Sequence, residues 1–156
     1  MNSDPAGALE SLRVAVAGCA ANGLALRCLG GAARQAGSLN EAILAHQQLV
    51  ARAPQSDWAH YELGHTLLMS RRPSDALEPF ERALDLNRWN ITAWRGLASA
   101  HANLGDFKSA VDKLEQAVAL RPRRAQLWRE LAEVRGLAGD SEGAATARAE
   151  ASRLDG

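Results

Sequence analysis

Apolar residues recur along this chain at helical spacing, in paired stretches, and the pairs themselves repeat. Leu29, Leu63, Leu97 and Leu131 fall in one column of a gapless alignment with a period of 34 residues. The next column reads Gly30, Gly64, Ala98, Ala132, and Ala42, Ala76, Ala110 and Ala144 share a further one. Small residues at fixed offsets are what two closely approaching helices require. Each unit holds two apolar stripes separated by a break: Gly37-Ser38, Arg71-Arg72-Pro73, Gly105-Asp106 and Gly139-Asp140. Glycine in the break predicts a left-handed cap ending the first helix, Pro73 predicts a helix stop, and Ser38-x-x-Glu41 predicts a capping box opening the second helix.

The pattern therefore predicts an all-α chain forming one domain over 1–156, with units at 23–56, 57–90, 91–124 and 125–156. Continued backward, the period aligns Ala8, Leu12 and Ala15 with Ala42, His46 and Leu49, so residues 5–17 read as a half-repeat helix that starts at Asp4-Pro5 and caps the array. At the other end Arg148 stands in the column of Phe80 and Leu114, which predicts a polar closing helix over about 141–154 and an array closed at both ends.

Trp94-x2-Leu97-Ala98, Ala110-x3-Leu114-x2-Ala117 and Pro122 together resemble the tetratricopeptide repeat signature. The resemblance covers residues 23–156 and implies a right-handed α-solenoid with an N-terminal capping helix. It places Leu29, Leu63, Trp94, Leu97, Ala110, Trp128 and Leu131 in the structural core. Trp94 is the expected central knob, whose truncation to alanine would cost about 3 to 5 kcal/mol if the ring were fully buried. Departures from the signature fall at His60, which replaces the leading tryptophan, and at Ala33, Leu67, His101 and Arg135, which replace the usual tyrosine.

The resemblance also implies a concave groove lined by the first helix of each unit, and it points the second, fifth, ninth, twelfth and thirteenth residues of a unit into that groove. The implied peptide-binding residues are Arg27, Arg34, Trp58, Tyr61, His65, Met69, Arg95, Asn103 and Arg129. Trp, Tyr and Arg are the residue types that dominate binding hot spots. The expected ligand is a protein or peptide that offers an apolar anchor to Trp58, Tyr61 and Met69 and carboxylates to the column Arg27, Arg95, Arg129. The alternative is that these arginines pair internally with Glu62, Glu130 and Glu133. A carboxylate clamp of the family's lysine and asparagine type has no counterpart here, since Gly31 and His65 occupy the ninth column.

Composition narrows function further. Lys plus Arg and Asp plus Glu both number 18, so the chain has no net field drawing it to nucleic acid or an anionic membrane, and only Lys108 and Lys113 among the basic residues are lysines. Arg121-Pro122-Arg123-Arg124 reads as a solvated junction without aromatics for base stacking. His46, His60 and His101 fall in packing columns, His65 alone faces the groove, and no catalytic or metal motif is present, so the expectation is a non-enzymatic binding module with no catalytic residues, no metal and no cofactor. Val16-Ala17-Gly18-Cys19 resembles a lipobox, but the apolar run before it is short and Asp4 and Glu10 precede it, so a cytoplasmic adaptor or chaperone is favoured over an envelope assembly lipoprotein or the detached repeat region of a transferase.

Overall fold

The computed structural model describes Gly7, Glu10, Arg13, Val14 and residues 23–156. From residue 23 onward eight helices follow one another: α1 (Gly23–Gln35), α2 (Leu39–Arg52), α3 (Asp57–Met69), α4 (Pro73–Leu86), α5 (Ile91–Asn103), α6 (Phe107–Leu120), α7 (Ala125–Leu137) and α8 (Ser141–Asp155). Each packs on the helix before and after it, and α3 also reaches α5, so the chain is an all-α solenoid of helix pairs. The proposed capping helix over 5–17 lies largely outside the described residues, as does Cys19. Gly7, Glu10, Arg13 and Val14 are helical, and Arg13 forks onto Glu41 of α2 at 2.7 Å through both Nε and Nη2.

The turns inside the four pairs share one geometry. The amide of Ser38, Arg72, Asp106 or Asp140 donates to the carbonyl of Ala33, Leu67, His101 or Arg135, five residues back, at 2.8 to 3.0 Å. That bond belongs to the Schellman motif, which needs a left-handed residue just before the donor. Gly37, Gly105 and Gly139 supply it at φ 78, 79 and 83°, whereas the second pair uses Arg71 at φ 58°. Pro73 is not the stop expected of it: it stands in the first turn of α4, where a missing N–H costs nothing, and the helix before it is ended by Arg71. The capping box is absent as well. Ser38 makes no side-chain cap, because Glu41 is drawn to Arg13 instead.

Between pairs, a second recurring bond explains the first-helix ring column. Trp94 Nε1 donates to Arg88 O at 2.9 Å and Trp128 Nε1 to Pro122 O at 2.7 Å, six residues back in each case. His60 Nε2 reaches Pro54 O at 3.0 Å in the same position. Histidine replaces tryptophan here because both are flat rings with an N–H at the far edge. Anchored by that bond, Trp94 and Trp128 are half-buried, not fully buried knobs.

The fully buried aromatic rings among the described residues are Phe80 of α4 and His46 of α2, and Phe80 is the larger. It joins Leu63, Leu67 and Leu97 in one apolar cluster, while Leu114, Leu127 and Leu131 centre another. Burial of the phenyl group contributes about 2 kcal/mol relative to exposure. Its seat exists because Gly96 of α5 has no side chain: a Cβ there would fall 2.4 Å from Phe80 Cε1. His46 of α2 sits likewise on Gly30 of α1, where a Cβ would lie 2.2 Å from Nε2. In the third pair the ring is replaced by Leu114 and the facing small residue is Ala98, so ring size and gap size change together along the array.

Candidate peptide-binding groove

The first helices of the pairs carry two cavities. The first, of about 380 Å³, lies between α3 and α5 and is lined by Tyr61, His65, Leu68 and Met69 on one side and by Arg95, Gly96, Ser99 and Asn103 on the other. It is deep here because Gly96, needed below for Phe80, leaves no side chain above. Tyr61 stacks on His65 with ring centroids 5.8 Å apart and an interplanar angle of 12°. It also tilts against Phe80 at 6.1 Å, which ties the cavity wall to the core.

The tautomer of His65 is set by its neighbour. Arg34 Nη1 lies 3.1 Å from His65 Nδ1, and a guanidinium can only donate, so Nδ1 accepts and Nε2 carries the proton. Burial, reinforced by the Arg34 charge, holds the His65 pKa below the ordinary imidazole value. Arg34 also donates to Glu62 at 2.5 Å, joining α1 to α3. The phenol of Tyr61 is raised above its ordinary value, mainly by burial, so it stays a neutral donor and acceptor.

The second cavity, of about 280 Å³, lies between α5 and α7 against Ala98, Ala102, Leu114, Val134 and Leu137. Its wall is an ion pair. Arg95 Nε donates to Glu130 Oε2 at 2.7 Å, Nη2 completes a fork on Oε1, and Glu130 takes a further bond from Gln126 at 3.0 Å. Those bonds push the Arg95 pKa up from an already high value, so its guanidinium stays protonated.

The arginine column is therefore not a row of open guanidinium groups. Arg34 is taken by Glu62, Arg95 by Glu130 and Arg129 by Asp155 of α8. The alternative weighed from sequence paired Arg27, Arg95 and Arg129 with Glu62, Glu130 and Glu133. Of these Arg95–Glu130 forms, Glu62 is taken by Arg34 instead, and Arg129 turns to Asp155, which comes from a second helix while the groove columns were read on first helices alone. Arg27 differs: its guanidinium lies over the Trp58 ring, 5.2 Å from the centroid. Of the expected groove residues, Tyr61, His65, Met69, Arg95 and Asn103 meet in the first cavity; Arg27 and Trp58 pair at its α1 side; Arg129 lines neither cavity. Asn103 is exposed, and its amide donates to Ser99 O at 2.7 Å, leaving the carbonyl oxygen for a ligand. Leu137, 59% exposed in the second cavity, went unread although it stands in the thirteenth column of its unit.

Buried His46 was expected to be a satisfied core histidine and is only half so. Thr66 Oγ1 spends its one proton on Glu62 O at 2.8 Å, so His46 Nδ1, 2.9 Å away, must be the donor to it. Nε2 has no hydrogen-bond partner among the described residues, and burial pulls the pKa down to about 4.

A family model described as Tetratricopeptide repeat matches residues 32–90, and another of the same description matches residues 91–134. The chain belongs to the tetratricopeptide repeat family. Solved tetratricopeptide structures of the same shape include MamA, at TM-score 0.88 and 21% identity over 97% of this chain and 89% of that one. MamA from Desulfovibrio magneticus gives TM-score 0.88 and 20% identity over 98% and 86% of the two chains. A third is YrrB, described as a TPR protein with an unusual peptide-binding site, at TM-score 0.79 and 18% identity over 97% and 78%. These likenesses establish the fold. The human protein O-mannosyl-transferase TMTC3 is 31% identical over 86 residues, which is 54% of this chain and 9% of that protein, so the chain spans a small part of that relative's length. Tetratricopeptide repeats form a protein-interaction module. Among the described residues no helix is long and apolar enough to cross a membrane, and no group of three His, Cys, Asp or Glu could hold a metal ion.

Proposed function

We propose that this protein is a non-enzymatic adaptor, scaffold or chaperone that holds a segment of a partner protein in the groove of its first helices. The observation that carries this reading is the first cavity. It has an apolar floor of Tyr61, Leu68 and Met69, with Met69 47% exposed and Trp58 37% exposed at its approach, rimmed by His65, Ser99 and Asn103. A large apolar side chain would anchor there while the rim groups hydrogen-bond the ligand's main chain. The ion pairs along the groove change the ligand expected from sequence: the apolar anchor is retained, and Arg34, Arg95 and Arg129 are already neutralised. No nucleic acid is needed to complete any part of the groove, and the exposed free thiol of Cys28 fits a reducing, cytoplasmic setting.

The test is selection of peptides from a displayed random library, followed by fluorescence anisotropy of the selected peptides on wild type and on Tyr61→Ala. Selected peptides should share an apolar residue, and the variant should weaken them at least tenfold while its helicity and melting stay close to wild type. Equal affinity for both proteins would remove the cavity from the site. A second reading, that the chain is the repeat region of a transferase, is supported by the likeness to the human mannosyl-transferase. It requires glycosyl transfer by this chain or by a protein it is joined to.

A further inference from the structure

Resting on the groove reading above, we infer that the groove is polar along its length and takes a partner segment in one sense only: a carboxylate over Arg27 and Trp58 at the α1 end, an apolar residue in the cavity between α3 and α5, and no second acid toward α7. Four groove guanidiniums were available to read acids. Three of them are spent on Glu62, Glu130 and Asp155. Among the described residues, Arg27 has no carboxylate partner and its guanidinium lies over Trp58, 5.2 Å from the ring centroid. A guanidinium over an indole still has N–H groups free to fork onto a carboxylate, while the ring screens one side of it from water.

The opposite end carries the opposite sign. Glu133 of α7 is exposed on the wall of the second cavity and makes no ion pair among the described residues. Arg148 of α8 comes up beside Gly136 of α7 and makes no ion pair with a carboxylate among the described residues. Between the two ends the Arg95–Glu130 fork presents no net charge. An acidic side chain placed at the α7 end would face Glu133, and one at the α1 end would face the groove's uncommitted cation. The apolar exposures have the same bias, since Trp58 and Met69 lie on α3 and adjoin the first cavity. Ligand chemistry and direction follow together: one Asp or Glu, then an apolar anchor about one helix spacing, roughly 10 Å, further along the groove.

The experiment uses the full chain and a random twelve-residue peptide library displayed on phage, selected in parallel on wild type, Arg27→Gln, Arg95→Gln and Tyr61→Ala. Wild-type selections should be enriched both in an apolar residue and in one acid at fixed spacing from it. Arg27→Gln should lose the acid preference and keep the apolar one, and a selected synthetic peptide should weaken roughly tenfold on that variant while its Asp→Asn or Glu→Gln analogue does not. A nitroxide beside the acid should broaden amide signals of Gly31 and Gln35, not of Glu133. An acid preference that disappears in Arg95→Gln and survives in Arg27→Gln, or broadening around Glu133, overturns the inference and leaves the groove reading intact. Wild-type selections no better than those on Tyr61→Ala overturn both.

Discussion

The two cavities of the groove have similar apolar linings, and the junction under each is packed by buried apolar residues, but only one is also tied across the groove by an ion pair. Between α5 and α7 the helices are joined across the groove by the Arg95–Glu130 fork, and that fork is part of the cavity wall. Between α3 and α5 the junction is made underneath, by Phe80 seated against Gly96, and among the described residues no ion pair crosses above. Where apolar packing below is the whole of the junction, the groove surface is left uncommitted. Where an ion pair is added above, the groove polar groups are used up by the protein itself. The binding potential of a repeat array is thus decided partly by how each junction is stabilised.

The largest effect expected from breaking this contrast is at Phe80. Phe80→Ala should cost about 4 kcal/mol in urea unfolding, because it empties the junction between the second and third pairs. Gly96→Ala attacks the same seat from above and should cost about 2 kcal/mol by overpacking, part of which Phe80→Leu in the same chain restores by removing the ring atoms that the added Cβ would meet.

Acid tests the other buried ring, His46 on Gly30. His46 is neutral in the folded protein with its pKa pulled down to about 4, while the unfolded chain takes up the proton near 6.5. Stability from this group is complete above pH 6.5, falls as pH drops, and is lost by about pH 4, a total of about 3 kcal/mol. His65, shifted in the same direction, adds to the slope. His46→Leu should flatten the pH dependence of thermal melting between those limits. A slope unchanged in that variant would mean His46 is not the group responsible.

Glu130→Gln sharpens the contrast on the groove side. It frees Arg95, and anisotropy should show peptides with two acids binding several-fold tighter than on wild type, with little gain for peptides with one. The smallest change is in the turn before α4. Arg71→Gly removes the side chain from a left-handed residue and should raise the melting temperature by about 2 to 4 °C, about 1 kcal/mol.

Much of the architecture was readable because the repeat imposes one environment on each column. The leucine column is buried at all four positions, and the break column takes glycine wherever its φ is positive except at Arg71. His60 shows why reading stopped there: its histidine answers to the carbonyl of Pro54, a contact that the tryptophans share but no spacing announces. In the groove, column rules brought Tyr61, His65, Met69 and Asn103 to one place, yet they treated Arg27, Arg95 and Arg129 as equals. Those three differ only in what approaches them from other helices: an indole, Glu130 and Asp155.

By itself the sequence determined the period, the helix pairs, the turn positions and the family, since each depends on local spacing and on small residues recurring where helices cross. The tertiary structure decided which groove charges remain free, which ring is buried, and which nitrogen of each histidine carries its proton. Those depend on the distance and orientation of side chains from different helices, and electrostatic and hydrogen-bond energies change sign or vanish over a few ångströms that no one-dimensional spacing encodes.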